Sequence, residues 1–246
     1  MSGSVSGPLK AAPEAAPPGG TPPLAERILY RSGRFIVVNK LIGEASEEAP
    51  GMKDLPALLR ETTGEGPWFA VNRLDVPVSG CALLAQTGEA LAQAHEQFRL
   101  GLVEKRYWAI TEMPEDPEAI PERGELIHWI AEDSRRNRSR AFDEKAPGRK
   151  RAELRYRVAG RGDSSLFLEI ELITGRRHQI RAQLETLGLH IRGDLKYGAR
   201  RSEKRGGIRL HAYSLGFLDA VPVRAAAPPP LMDRLWEAAA AVLTPT

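Results

Sequence analysis

Between residues 103 and 172, four β-rich stretches follow one another with no helical pattern between them. A doubly wound parallel sheet needs a helix, or a comparably long crossover, after nearly every strand. Strands joined by turns become antiparallel neighbours instead. The stretches are 103–111, 125–130, 151–159 and 165–172, and the segment 113–124 carries Pro114, Pro117 and Pro121, which break regular structure. The last stretch alternates, with Leu166, Leu168, Ile170 and Leu172 on one side and Glu169 and Glu171 on the other. That is the pattern of a strand with one buried face.

Further strands are predicted at 35–40, 81–85 and 209–218. Helices are predicted at 54–61, at 89–100 behind the capping residue Thr87, at 177–187, and at 229–243 with proline near the start. The 177–187 helix presents Ile180, Leu184 and Leu187 along one edge, with Arg177 and Arg181 sharing another face. The count gives an α+β fold: a mostly antiparallel mixed sheet with flanking helices. Residues 1–23 are rich in Gly, Pro, Ser and Ala without apolar periodicity and read as a flexible leader. Residues 24–246 read as one domain.

Composition excludes more than it identifies. Lys plus Arg number 35 against 32 Asp plus Glu, so net charge names no partner and attention moves to local clusters. Two stand out: residues 132–151, with Arg135, Arg136, Arg138 and Arg140 among them, and residues 192–209, with Arg200, Arg201, Lys204 and Arg205. Either could grip phosphates, and either could be solubilising surface charge. Cys81 is the lone cysteine, so neither an internal disulfide nor a thiolate-rich metal site is expected. His178, His190 and His211 lack a compact ligand spacing. No apolar run approaches the ~20 residues of a membrane-spanning helix, and no secretion signal opens the chain. The expectation is a soluble, cytoplasmic monomer with no metal or cofactor and no membrane partner.

Three segments carry chemistry. In the first, Asn72-Arg73-Leu74-Asp75 leads through a Pro/Ser/Gly turn into the strand at Cys81. Loops held by rigid strands commonly bear catalytic groups, although an isolated Asp there is more often a turn former. In the second, Lys105-Arg106-Tyr107-Trp108-Ala109 lies on a strand that puts Lys105, Tyr107 and Ala109 on one face. A base could stack on Tyr107, or its hydroxyl could move a proton. A half-buried sheet tyrosine is the plainer reading. In the third, Thr174-Gly175-Arg176-Arg177-His178-Gln179-Ile180-Arg181 concentrates cations at a strand-to-helix corner. Such a cluster needs an anion beside it, a phosphate or a buried carboxylate, or else it is a solvated basic face.

The order and spacing of these segments resemble the RluA-type pseudouridine synthases. That family carries an Arg-Leu-Asp loop, a Lys-x-Tyr strand and a Thr-Gly-Arg-x-His-Gln-Ile-Arg segment, here Arg73-Leu74-Asp75, Lys105-Arg106-Tyr107 and residues 174–181. Val37-Val38-Asn39-Lys40, Gly193-Asp194-Leu195-Lys196-Tyr197-Gly198 and Leu210-His211-Ala212 look similar too, so the resemblance spans about residues 28 to 220. It implies the pseudouridine synthase catalytic fold with a central cleft and no cofactor. It also implies an isomerase that converts uridine to pseudouridine in ribosomal or transfer RNA. Asp75, Tyr107 and Arg181 are then the expected catalytic residues, with Arg181 pairing Asp75. Asn72, Arg73, Lys105, Arg176, His178, Gln179, Ile180 and Leu210 are the expected substrate-binding ones.

Two positions depart from the family pattern: Asn72 stands where a histidine is usual, and Arg177 where Thr or Ser is usual. The leader is too short for the S4-like domain that some relatives carry. Two other readings stay open, an inactive RNA-binding protein of the same fold and a base-excising glycosidase. The second usually needs another carboxylate to activate water.

Overall fold

The computed structural model describes residues 21–49, 51–229 and 233–243. All but the end of the expected leader, and part of the expected 229–243 helix, lie outside them. Eleven strands form one sheet: β1 (Ile28–Arg31), β2 (Phe35–Lys40), β3 (Phe69–Ala70), β4 (Ser79–Ala85), β5 (Glu104–Glu112), β6 (Arg123–Asp133), β7 (Arg138–Phe142), β8 (Lys150–Arg161), β9 (Ser165–Leu172), β10 (Leu210–Leu218) and β11 (Pro222–Ala226). Their order is β1-β2-β4-β10-β5-β9-β8-β6-β7, with β3 beside β4 and β11 beside β10. Every pairing is antiparallel except β10 with β4, where His211 and Ala212 run alongside Ser79 and Gly80. The α+β, mostly antiparallel mixed sheet is therefore the fold observed.

That parallel junction dictates one residue. Gly80 has φ +117°, and a Cβ there would lie 2.2 Å from the carbonyl oxygen of Ala212. Only glycine lets the two strands close at this point, and the loop that carries Asp75 enters β4 immediately before it.

Among the described residues four helices flank the sheet: α1 (Leu55–Thr63), α2 (Gly88–Arg99), α3 (Gln179–Glu185) and α4 (Arg234–Val242). Asp54, Thr87 and Asp233 each cap a helix by accepting a backbone N–H, from Ala57, Ala90 and Trp236 respectively. Alternation along β5 divides the core. Tyr107 and Ala109 join the cluster under α1 and α3, while Trp108 and Ile110 pack against Trp236 and Ala239 of α4. Leu168, with no exposed surface, is one of many side chains each worth about 1.5–3 kcal/mol of burial. Glu169, expected on the solvent side, is nearly buried, held by Arg157 at 2.8 Å and Arg106 at 3.3 Å.

One element differs in a way that bears on the site. The helix expected from residue 177 begins at Gln179, because His178 adopts the left-handed conformation, φ 53°. Arg177 therefore precedes the helix and does not share a helical face with Arg181.

Candidate active site

The loop between β3 and β4 is fixed residue by residue. Asn72 accepts the Leu83 N–H at 2.7 Å and donates to the Cys81 carbonyl at 3.2 Å, tying the loop to β4. Ser46 Oγ accepts the Leu74 N–H at 3.0 Å and donates to the Leu74 carbonyl at 3.2 Å. Beyond Asp75, the Val76 carbonyl accepts from the Gly43 N–H at 2.9 Å and from Lys40 Nζ at 3.4 Å. Lys40 is fully buried, and that burial pulls its ammonium down to about 8. The backbone is clamped on both sides of Asp75, so its carboxylate has little freedom.

Arg181, on α3, reaches that carboxylate. Its Nη1 donates to Asp75 Oδ2 at 2.9 Å, while Nε and Nη2 fork onto Asp194 at 2.6 and 2.8 Å. The Arg181 and Asp194 side chains are only 5% and 2% exposed, against 25% for Asp75. The guanidinium is thus anchored from behind by Asp194 and presents Nη1 to the Asp75 carboxylate. Burial works against its charge, but the two carboxylates outweigh it and its pKa rises. The Tyr197 ring lies 4.7 Å under the guanidinium carbon, and the Tyr197 hydroxyl meets His178 Nδ1 at 3.0 Å. His178 Nε2 is 3.6 Å from Asp75 Oδ2. Burial drives the imidazole down to about 4, a shift that Asp75 opposes and Arg181 reinforces.

These groups open into a cleft of about 360 Å³ whose lining includes every site residue expected from the sequence. They do not all play one part. Tyr107, Ile180 and Leu210 are buried walls. Burial, with a further push from Asp75, raises the Tyr107 phenol and keeps it protonated. Lys105 donates to the Ile173 carbonyl at 3.2 Å. Gln179 is scaffold: its Oε1 accepts from Thr174 Oγ1 and the Arg176 N–H, and its Nε2 donates to the Glu153 carbonyl. Arg73 stands at the rim, 64% exposed and 3.5 Å from Glu47, and Arg176 Nε rests on the Arg151 carbonyl.

Asp194, Tyr197, Ser46 and the clamp from Lys40 were not expected in these roles. Asp194 and Tyr197 do fall in the Gly193–Gly198 segment, whose two charges and aromatic were the available signal. The arrangement offers an oriented carboxylate, a paired guanidinium and an aromatic wall, the parts needed to hold a flat base and act at its sugar carbon.

A family model described as RNA pseudouridylate synthase matches residues 34–186. A protein of Zymomonas mobilis, named an uncharacterized RNA pseudouridine synthase, is 32% identical over 85% of this chain and 96% of its own. Ribosomal large subunit pseudouridine synthase C of Rickettsia bellii is 32% identical over 70% of this chain. This chain spans 57% of that relative's length. Human RNA pseudouridylate synthase domain containing 1 superposes with a TM-score of 0.69, covering 88% of each chain at 26% identity. Its domain containing 4 counterpart gives 0.69 at 23% identity, covering 89% of this chain and 94% of its own, a likeness of fold. On the family match and the relatives' identity together, the chain belongs to the RNA pseudouridylate synthases, as an RluA-type isomerase acting on RNA.

Proposed function

We propose that Asp75 is the essential carboxylate of this isomerase and that its substrate is a uridine in ribosomal or transfer RNA. The observation that carries the reading is the chain Asp75–Arg181–Asp194, a carboxylate aimed into a cleft by a guanidinium fixed from behind. The carboxylate acts at the ribose, as nucleophile at C1′ or as the base that starts elimination. The bond from C1′ to N1 breaks, the base turns, a bond from C1′ to C5 forms, and the C5 proton leaves while N1 takes one up from solvent.

Tyr107 packs against the base while it turns, and Ile180 and Leu210 keep water from the cleft. Reaching the sugar carbon requires the uridine to leave its stack, at a cost of a few kcal/mol. Arg73, exposed at the rim, is placed to fill the gap or to hold a neighbouring phosphate. Ribosomal RNA is favoured as the substrate by the names of relatives such as the Rickettsia bellii protein.

Release of tritium from RNA carrying C5-labelled uridine tests the reaction. The wild-type chain releases it and Asp75→Asn does not, a loss of at least about three orders of magnitude. Tritium release by Asp75→Asn at the wild-type rate would remove Asp75 from the chemistry. An inactive binder releases none, and a glycosidase liberates free uracil. Mapping pseudouridine in total RNA with and without the gene identifies the target.

A further inference from the structure

Another cavity, of about 720 Å³, lies beside α4, with Asp233 and Trp236 in its lining. Trp236 packs with Trp108 and Ile110 on the β5 face away from Tyr107, whereas Tyr107 lines the catalytic cleft. One wall is the loop 199–208, which leaves the active site just after Tyr197 and returns to it at Leu210.

This loop is seated on the body of the protein. Its acid, Glu203, turns inward to Arg209 at 2.7 Å and Arg192 at 3.9 Å, and Arg209 also holds Asp233 at 2.6 Å. Gly193, φ +87°, makes the contact possible, since a Cβ there would lie 2.8 Å from Glu203 Cγ. With Glu203 neutralised, Arg201, Lys204 and Arg205 stand exposed at the mouth with no ion pair among the described residues. The Nε atoms of Arg192 and Arg209 are buried without a hydrogen-bond partner. On the other wall Glu112 faces Arg200 at 3.8 Å, and Asp163 also lines the cavity.

Uncompensated cations around a preformed cavity select a polyanion. We propose that this cleft is a second RNA-binding site, holding the sugar-phosphate backbone of a segment outside the target nucleotide. The proposal rests on the chain's action on RNA, not on the role of Asp75.

The test is the triple variant Arg201→Ala/Lys204→Ala/Arg205→Ala, read by fluorescence anisotropy with labelled oligouridylates of about 6 and about 24 nucleotides over a salt series. Its melting temperature is expected to match wild type, since the three side chains hold nothing. The long oligomer is expected to bind at least about ten-fold more weakly, and the slope of log affinity against log salt to fall by about two, at ~0.7 per phosphate on a single strand. The short oligomer binds as before. A control, Arg99→Ala/Arg123→Ala/Arg161→Ala, removes equal charge elsewhere and is expected to leave the long oligomer within about two-fold. Unchanged binding by the loop variant overturns the proposal, and so does an equal loss in the control. Repeating the titration in Asp75→Asn keeps the outcome independent of catalysis.

Discussion

The two clefts meet where the chain enters β4 and β10, with Val78 and Leu210 lining one and Ser79 and Arg209 the other, and they treat charge in opposite ways. In the catalytic cleft each buried charge is pinned: Arg181 lies between Asp75 and Asp194, with Tyr197 beneath it. In the larger cleft beside α4, Glu112, Glu203 and Asp233 are each paired with an arginine, and Arg201, Lys204 and Arg205 are left loose at the mouth. Chemistry needs charges that do not reorganise as the reaction proceeds. A grip on phosphates needs cations that can follow a flexible backbone, and it weakens with salt. The smaller cavity therefore has the oriented groups that the proposed chemistry needs, whatever its size.

Asp194→Ala probes this difference most severely. It strips both acceptors from a guanidinium that is 5% exposed, and breaking such a buried pair costs about 3–5 kcal/mol. Arg181 is also freed to turn away from Asp75, so tritium release falls along with stability. The matching truncation in the larger cleft, Glu203→Ala, removes an acid that is 19% exposed and leaves Arg209 its second partner, Asp233. There the expected loss is about 1 kcal/mol or less. Urea unfolding of the two variants checks the contrast, and equal losses would break it.

The residues that line the smaller cleft were largely legible in sequence because they fall in short contiguous segments. Asp75, Tyr107 and Arg181 were each marked by type and spacing, and all line one cleft. Asp194 was not, since its bond to Arg181 is set by how the 193–198 turn packs on α3 and no local pattern encodes that. His178 was placed inside a helix because nothing in Arg-Arg-His-Gln announces a left-handed residue. The strand β7, Arg-Ser-Arg-Ala-Phe, was read only as part of a basic cluster. Its outward arginines masked the alternation, and Ser139 is buried by the hydroxyl of Tyr197, far along the chain. β1 and β11 are short and pair at the margins of the sheet, where little apolar alternation is required.

A smaller effect sharpens the contrast at the loop. Asn72 uses both ends of its amide on β4, which makes it part of the clamp that holds Asp75. Asn72→Ala deletes two hydrogen bonds, at about 0.5–1.5 kcal/mol each, and lowers turnover more than RNA affinity because the carboxylate loses its fixed position. Asn72→His supplies one donor and one acceptor and is expected to recover most of both. If alanine changes affinity and leaves turnover intact, Asn72 serves the substrate and the loop does not depend on it.

The smallest effect is a pH dependence confined to the catalytic side. Burial, helped by Arg176, lowers Lys105 to about 8, so its ammonium is charged at pH 7 and neutral well above pH 8. Binding of the short oligouridylate, which engages the catalytic cleft, therefore weakens from pH 7 to pH 9 by up to about ten-fold, one lost phosphate contact. The linked stability runs the other way. Between about 8 and the ordinary lysine value the unfolded chain holds the proton and the folded one does not, so this group makes stability rise with pH. Lys40 is also lowered to about 8 but lies behind the loop, so a substitution separates the two. Lys105→Arg keeps its charge and is expected to bind the short RNA equally well at both pH values. If the slope persists in Lys105→Arg, it belongs to Lys40 and the clamp beneath Asp75.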